Sequence, residues 1–238
     1  MFDHVTIRVS DLAVSRPFYE LALGDPVEGG GFSEWHDFSI AQADDDRPLT
    51  RNLHAAFVTR SREAVDEWWE RMTGADHPDD GAPGPRPYSP DYYGAFVLDP
   101  DGNSVEAVHK GRPRQGENRI DHLWIRVADL EASKRFYETV DPFGGFAFDH
   151  GWPKGRLFKG SDRSFSVIRD DRPLTENVHI AFPAGDNATV DEFHRALVAA
   201  GYCDNGEPGE RDYHPGYYGA FVLDPDGNNV EVVCHNRG

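Results

Sequence analysis

The stretch YYGAFVLDPDGN occurs twice in the chain, at residues 92–103 and again at residues 217–228. In each copy an apolar run (Ala-Phe-Val-Leu) precedes Asp-Pro-Asp-Gly, whose residue types favour tight turns. A second apolar run follows, so the pattern predicts a strand, a turn and a returning strand. A glutamate lies inside each returning strand, Glu106 in SVEAV and Glu231 in NVEVV. A carboxylate at that position either faces solvent or lines a cavity and binds a ligand there.

The repeat extends along the whole chain. Residues 1–20 read MFDHVTIRVSDLAVSRPFYE and residues 119–138 read RIDHLWIRVADLEASKRFYE. In the middle of each copy, RPLTRNLHAAF at 47–57 is answered by RPLTENVHIAF at 172–182. The register is set by three pairs of residues: His4 with His122, His54 with His179, and Glu106 with Glu231.

The two copies predict two tandem domains. The first is expected at residues 1–110 and the second at 119–238. The polar segment between them, residues 111–118, is predicted to be a linker.

Within each copy the pattern predicts two halves, each made of a strand, a helix and three strands (βαβββ twice), although only some of the strands have a strong signal. The first strand, HVTIRV at 4–9, alternates polar and apolar residues, which is typical of a strand with one buried face. Asp11 is predicted to cap the following helix, and Gly24 to end it. Helices cover only the apolar face of such a sheet, so the face with the histidines is expected to curl into a concave cup.

That polar face collects two histidines and one glutamate in each copy: His4, His54 and Glu106, and His122, His179 and Glu231. Two imidazoles and one carboxylate can hold Fe²⁺, Mn²⁺, Ni²⁺ or Zn²⁺ and leave positions open for a substrate. The alternative is that each histidine is structural and each glutamate is solvated. The spacing also leaves open whether the ligands of one site come from one copy, or whether His4 joins His179 and Glu231.

Composition excludes several classes of function. The formal net charge is −18, from 42 acidic and 24 basic residues, which argues against nucleic acid and anionic membranes as partners. Only two cysteines are present, so a disulfide framework is excluded, and no signal peptide is indicated. No apolar run approaches the roughly 20 residues of a membrane span. We therefore expect a cytoplasmic protein. We also expect a monomer or homodimer that binds a small-molecule substrate.

The combination of DHVTIRVSDLAVSRPFY, LHAAF and LDPDGNSVE, with its second version, resembles the vicinal oxygen chelate superfamily. That superfamily includes glyoxalase I, fosfomycin- and bleomycin-resistance proteins and extradiol dioxygenases. The resemblance covers both copies and implies an α+β fold of two tandem domains. Each domain would consist of paired βαβββ modules that form a curved, cup-like, mostly antiparallel sheet with the helices outside. It also implies a divalent metal at the floor of each cup, held by the six residues named above.

Two departures narrow what the resemblance implies. Glyoxalase I has a fourth ligand, a glutamate, where this chain has DFSIAQ (37–42) and SFSVIR (164–169), neither of which contains one. His214 precedes the second Asp-Pro-Asp-Gly at a distance that matches the extradiol dioxygenase signature, whereas the first copy has Ser89 there. The apolar-Tyr pair of that signature is replaced by Ala-Phe at 220–221. The three-ligand branch is therefore favoured, and the second copy is expected to be the working one.

Three residues are predicted to take part in the reaction. His214 is the proposed catalytic group. Arg126 projects from the cup face, where it either binds an anionic substrate oxygen or forms a structural salt bridge. Tyr218 either lines the pocket mouth or serves in packing. Arg8 is the counterpart of Arg126 in the first copy. His235, on the same strand face as Glu231, is an accessory candidate.

Two functions follow from these residues. The first is a metal-dependent enzyme that acts on a small oxygenated substrate, by dioxygenase-like or by lyase- or isomerase-like chemistry. The alternative is a non-catalytic protein that binds a small molecule such as an antibiotic in the same cup. Ligand-induced stabilisation that a chelator does not change would favour the binding protein.

Overall fold

The structure is a computed structural model, and it describes residues 1–111, 117 and 119–236. The predicted linker at 111–118 falls mostly outside these residues. The first half contains β1 (His4–Val9), α1 (Leu12–Leu23), β2 (Val27–Gly29), β3 (Phe32–Trp35), β4 (Phe38–Gln42), β5 (His54–Val58), α2 (Arg62–Gly74), β6 (Asp79–Pro85), β7 (Tyr92–Leu98) and β8 (Ser104–Lys110). The second contains β9 (Ile120–Arg126), α3 (Leu130–Gly144), β10 (Ala147–Trp152), β11 (Gly155–Lys159), β12 (Ser164–Ile168), β13 (His179–Pro183), α4 (Asn187–Ala199), β14 (Cys203–Glu210), β15 (Tyr218–Leu223) and β16 (Asn229–Cys234).

These elements form four βαβββ modules in chain order, which confirms the predicted fold class. We call them module I (4–42), module II (54–110), module III (120–168) and module IV (179–234). None of the helices in the described part of the chain is both long and apolar enough to span a membrane.

The modules pair across the two halves of the sequence. One sheet has the strand order β14-β15-β16-β13-β1-β4-β3-β2, and the other has β10-β11-β12-β9-β5-β8-β7-β6. Module I therefore joins module IV (the I/IV sheet), and module II joins module III (the II/III sheet). The joins are the antiparallel pairs β1–β13 and β5–β9. The pairing that the sequence left open is thus the exchanged one, while the two halves as separate folding domains stay a prediction.

The first strand and helix show why the sheet has a buried and a concave face. Val5, Ile7 and Val9 are at most 1% exposed and lie in the core. The Asp11 side chain accepts a hydrogen bond from the amide of Ala13 and caps α1, as expected. With one face packed under helices, the alternate residues are left on the open side.

The repeated Asp-Pro-Asp-Gly turn also links the two sheets. Asp99 is buried, and its carboxylate accepts hydrogen bonds from the amides of Asp101 and Asn103 within the turn. Its other oxygen accepts a hydrogen bond of 2.8 Å from the hydroxyl of Tyr19, on helix α1. Because α1 packs on the I/IV sheet and the turn belongs to the II/III sheet, this bond connects the two.

We predict that Tyr19→Phe lowers the free energy of unfolding by about 1–2 kcal/mol, because a buried hydrogen bond to a carboxylate is lost. Tyr137 makes the matched bond to Asp224 in the second half, but at 3.3 Å. Tyr137→Phe should therefore cost less. Urea unfolding of the two variants measures both effects, and an equal or larger loss for Tyr137→Phe contradicts the prediction.

Candidate metal centres

The I/IV site consists of His4 on β1, His179 on β13 and Glu231 on β16. Nε2 of His179 lies 3.1 Å from Nε2 of His4 and 3.0 Å from Oε2 of Glu231. Nε2 of His4 is 3.7 Å from the same carboxylate oxygen. Three strands of one sheet thus bring together ligands from both halves of the chain.

The II/III site repeats this arrangement with His54 on β5, Glu106 on β8 and His122 on β9. Oε2 of Glu106 lies 3.1 Å from Nε2 of His54 and 3.5 Å from Nε2 of His122. In the part of the chain that the structure describes, these two triads are the groups of histidine and acidic residues that could hold a metal ion.

A small alanine lies between the ligand strands at each site. In the I/IV sheet Ala181 is the register partner of both His4 and Glu231. In the II/III sheet Ala56 is the partner of both His122 and Glu106. Paired residues on neighbouring strands face the same side of a sheet, so a methyl group between two long ligands leaves the space above it open.

The spacing of the ligand atoms fits a metal ion. Ligands about 2.1 Å from a common centre lie roughly 3.0 Å apart at right angles and roughly 3.4 Å apart at tetrahedral angles. The ligand distances of the I/IV site, 3.0, 3.1 and 3.7 Å, fall close to that range. Two imidazole nitrogens and a carboxylate oxygen that converge so closely need a proton or a cation between them. The residues present therefore fit a divalent metal at both sites.

For His4, His54 and His122, the other ring nitrogen is held by a hydrogen bond that leaves Nε2 free for a metal. Nδ1 of His4 donates to the carboxylate of Asp3 at 2.8 Å, and Nδ1 of His122 donates to Asp121 at 2.8 Å. Nδ1 of His54 lies 3.1 Å from the hydroxyl of Ser104. Such outer contacts fix the tautomer and orientation of a metal-binding histidine.

In the I/IV site, the protonation of the ligands is set by burial and by neighbouring carboxylates. Burial lowers the pKa of His179, against the opposing effect of Glu231, which favours the neutral ring that a metal requires. Burial also acts to lower the pKa of His4, but the hydrogen bond to Asp3 and the charge of Glu231 outweigh it and raise that pKa. A proton and a metal therefore compete for His4 more than for His179.

A tyrosine and a glycine position each glutamate. The hydroxyl of Tyr217 donates a hydrogen bond of 2.7 Å to Glu231, and that of Tyr92 donates one of 2.8 Å to Glu106. A Cβ on Gly219 would lie 2.5 Å from Oε1 of Glu231. The Tyr-Tyr-Gly of the repeated stretch thus supports the carboxylate, since only glycine allows this close approach.

The two sites differ in access. The I/IV site opens into a cavity of about 980 Å³, lined among others by Thr6, Arg8, Phe32 and Tyr213. At the position equivalent to Thr6, the II/III site has Trp124, whose ring centroid is 5.0 Å from that of His54.

Exposure of the ligands agrees with this difference. The side chains of His4 and His179 are 24% and 19% exposed, against 4% for His54 and 5% for His122. The I/IV site is open, and the II/III site is covered.

The structure does not bring the three predicted catalytic residues together. His214 lines the I/IV cavity. Arg126 lies in the II/III sheet, where its guanidinium donates to the carbonyl oxygen of Asn52 and pairs with Asp170 at 3.4 Å. The modules exchange partners, so the arginine on the I/IV cup face is Arg8, not Arg126.

The predicted position of Tyr218 at the pocket mouth is also wrong. Its hydroxyl donates to Asp191 on the outer helix α4, because strand alternation turns it away from the cup. The preceding Tyr217 faces Glu231 instead.

At the I/IV site the sequence interpretation missed four residues that contact the ligands directly: Asp3, Tyr217, Gly219 and Asn229. The last has its side-chain amide 2.8 Å from Nδ1 of His179. A signal was present for three of them, since Asp-His and Tyr-Tyr-Gly occur in both copies. For Asn229 there was none, because the first copy has Ser104 at that position.

Comparison with known proteins agrees with this architecture. The family model described as "Glyoxalase/Bleomycin resistance protein/Dioxygenase superfamily" matches residues 1–107 and 119–232, and the chain belongs to that superfamily. Two curated relatives match about half of the chain. "Uncharacterized protein YqjT" of Bacillus subtilis is 30% identical over 129 residues, which cover 48% of this chain and 98% of the relative. "Uncharacterized protein PA2024" of Pseudomonas aeruginosa is 32% identical over 124 residues, or 47% of this chain and 85% of the relative.

Solved structures with the same fold cover the whole chain. Glyoxalase I from Zea mays superposes with a TM-score of 0.68 at 20% identity, covering 98% of this chain and 92% of that one. A putative dioxygenase from Bacillus subtilis superposes with a TM-score of 0.69 at 12% identity, covering 100% of this chain and 86% of that one. At these identities the likeness establishes the fold.

We predict that Gly219→Ala weakens metal binding at the I/IV site by about 10- to 100-fold, the usual effect of disturbing a ligand's support. The added methyl group would push against the Glu231 carboxylate. Isothermal titration with Mn²⁺ or Zn²⁺ measures the loss. Gly185→Ala is the control, because a Cβ there meets no atom within 4 Å. Equal affinities in the two variants contradict the prediction.

Proposed function

We propose that the chain is a divalent-metal-dependent enzyme that acts on a small oxygenated substrate, by dioxygenase-like or by lyase- or isomerase-like chemistry. The I/IV site is its working centre. One observation carries the proposal: the cavity of about 980 Å³ has His4, His179 and Glu231 in its lining, with their ligand atoms converged. That volume is at the upper end of small-molecule pockets.

Each part of the site has a defined task in this proposal. A divalent ion bound by the triad would supply Lewis-acid chemistry to a substrate oxygen. Asp3 holds His4 in the tautomer that binds a metal, and Tyr217 fixes one oxygen of Glu231 so that the other faces the two histidines. His214 lines the same cavity and is the candidate for proton transfer.

The ligand set of the I/IV site has three members. In the run that holds the fourth ligand in glyoxalase I, Ser39 lies on the cup face with its hydroxyl 2.7 Å from that of Thr6. A hydroxyl pair there leaves coordination positions for substrate. This supports the three-ligand type that the sequence favoured.

Arg8 is the group proposed to bind an anionic part of the substrate. Within the described residues its guanidinium takes part in no ion pair and packs over the ring of Phe32, 5.3 Å from the centroid. Burial, and then the neighbouring Arg47, lower the pKa of Arg8, so an anion beside it would be stabilised. Asp44 acts on the pKa of Arg8 in the opposite direction, but its carboxylate is already paired with Arg47.

The II/III site is proposed to be structural. The side chains of His54 and His122 are 4% and 5% exposed, and Trp124 and Tyr88 pack together over the triad with ring centroids 5.4 Å apart. A substrate would have to displace both rings. A metal there would stabilise the fold and exchange slowly.

The alternative, a non-catalytic protein that binds a small molecule, draws on the aromatic part of the same cavity. Phe32, Tyr213 and Phe221 offer rings for an apolar or cationic ligand. Ligand screening by thermal shift separates the functions, because stabilisation that persists with a chelator favours the binding protein.

We predict that the wild-type chain, reconstituted with Fe²⁺, Mn²⁺, Ni²⁺ or Zn²⁺, binds metal stoichiometrically. The variant Glu231→Gln should lose the part of the bound metal that exchanges rapidly. Glu106→Gln is the matched variant and should leave that part unchanged, because the II/III site is covered. Elemental analysis before and after brief chelation gives both fractions. A wild-type chain without stoichiometric metal after reconstitution would overturn the proposed function.

We also predict that Arg8→Gln weakens the binding of small aromatic carboxylates by about tenfold or more, since a hydrogen bond to a charged group contributes about 1.5–3 kcal/mol. The corresponding neutral amides should bind equally to both proteins. Arg126→Gln is the matched variant: it should lower the free energy of unfolding by about 1–3 kcal/mol without changing carboxylate affinity. Equilibrium dialysis and urea unfolding measure these effects, and carboxylate binding that is indifferent to Arg8 contradicts the prediction.

A further inference from the structure

A chain of hydrogen bonds leads from the edge of the cavity to a metal ligand. Nε2 of His214 lies 2.8 Å from Nδ1 of His235, and Nε2 of His235 lies 2.8 Å from the carboxylate of Asp3. The other oxygen of Asp3 accepts from Nδ1 of His4 at 2.8 Å. The remaining nitrogen of His214, Nδ1, is 2.9 Å from the carbonyl oxygen of Pro215.

The partners of the two imidazoles fix how many protons they share. A carbonyl oxygen only accepts, so Nδ1 of His214 carries a proton that it donates to Pro215. The Asp3 carboxylate also accepts, so Nε2 of His235 carries a second proton. A third lies between the two facing nitrogens. Two neutral imidazoles carry two protons, so a proton in each of the three contacts would make the pair a cation.

The second site gives independent support for a positive charge at this place. At the position equivalent to His235, the II/III site has Lys110, whose ammonium group contacts Asp121. Asp121 in turn accepts from Nδ1 of His122 at 2.8 Å. The order cation, carboxylate and metal-binding histidine is therefore present at both sites. The cation is a lysine at the II/III site, and the imidazole pair takes its place at the I/IV site.

The groups around the two imidazoles favour one positive charge on the pair. Asp3 is the acidic group in direct contact with it, and the ring of Tyr217 stands 5.3 Å from both imidazole centroids. Asp212 and Tyr213 come from the same turn as His214 and line the cavity beside it. His235 is 24% exposed and Asp3 17%, so water screens their interaction only in part.

We propose that His214 and His235 share one extra proton and form the proton-donating pair of the I/IV site. In this pair His235 is the positioning residue that holds His214 at the cavity. The proton that leaves comes from an N–H of His214, because His214 is the imidazole of the pair that is proposed to face the substrate in the cavity. Its transfer breaks that N–H bond, forms an O–H bond on the substrate and leaves the pair neutral. The use of the proton rests on the proposed function, whereas the charge of the pair does not.

The test is a pH titration of the imidazoles in the full chain by proton–nitrogen correlation NMR, both metal-free and loaded with Zn²⁺. At about pH 7 the wild-type pair should show three protonated ring nitrogens out of four. Raising the pH should remove one proton in a single step that appears on both rings. Two protons at that pH, or two independent titrations, would overturn the proposal.

His235→Lys supplies the residue of the second site and separates charge from proton sharing. It should leave His214 neutral, with one proton on Nδ1, while zinc affinity at the I/IV site stays within about threefold of wild type because Asp3 keeps its cation. His235→Gln should also leave His214 neutral but lower zinc affinity. A doubly protonated His214 in the lysine variant contradicts the proposal. If neither the wild type nor any variant binds zinc, the proposed function is contradicted, whereas the NMR result on the charge of the pair is unaffected.

Discussion

The antiparallel pairing of β1 with β13, and of β5 with β9, is the contact on which both sites depend. Each pairing joins a module from one half of the chain to a module from the other. In the first, His4 lies opposite Ala181, which is also the partner of Glu231 on the next strand. A shift of this register by one residue would turn His4 to the apolar face and dismantle the triad. The sites are therefore products of the join between halves, not of either half alone.

The same type of join between modules forms two sites that differ in how accessible they are to a substrate. Thr6 and Trp124 occupy equivalent positions between the first histidine and the arginine of each cup. The small side chain leaves a cavity, while the indole packs on His54 and covers the triad. Polar contacts inside the covered site are stronger because water is excluded, which suits a role in stability. In the open site the two histidines are partly exposed, which suits exchange and substrate entry.

Much of this could be predicted from the sequence. Alternation in the first strand, the cap at Asp11 and the repeated turn specify the modules, and two histidines and a glutamate per copy specify the candidate ligands. The pairing of modules could not be predicted, because equal spacing in two copies is compatible with either arrangement. The error at Arg126 followed from that ambiguity, since its place in the I/IV cup is taken by Arg8. Tyr218 was a different failure: in a run of two tyrosines, only the strand register shows which one faces the ligands.

The identity of YYGAFVLDPDGN in both copies has a physical explanation in the contacts of its residues. The first tyrosine donates to the glutamate, and the glycine makes room for that carboxylate at Gly94 and Gly219. The first aspartate organises the turn and accepts from a tyrosine on the helix of the other sheet. Each of these contacts either holds a glutamate or joins the two sheets. The same residues are therefore needed at an open site and at a covered one. Residues that differ between the copies include Thr6 against Trp124, which determines access, and His235 against Lys110, which places an imidazole beside one site and a lysine beside the other. The duplicated stretch thus accounts for the scaffold that the two sites have in common, and the differences around it account for what each site can do.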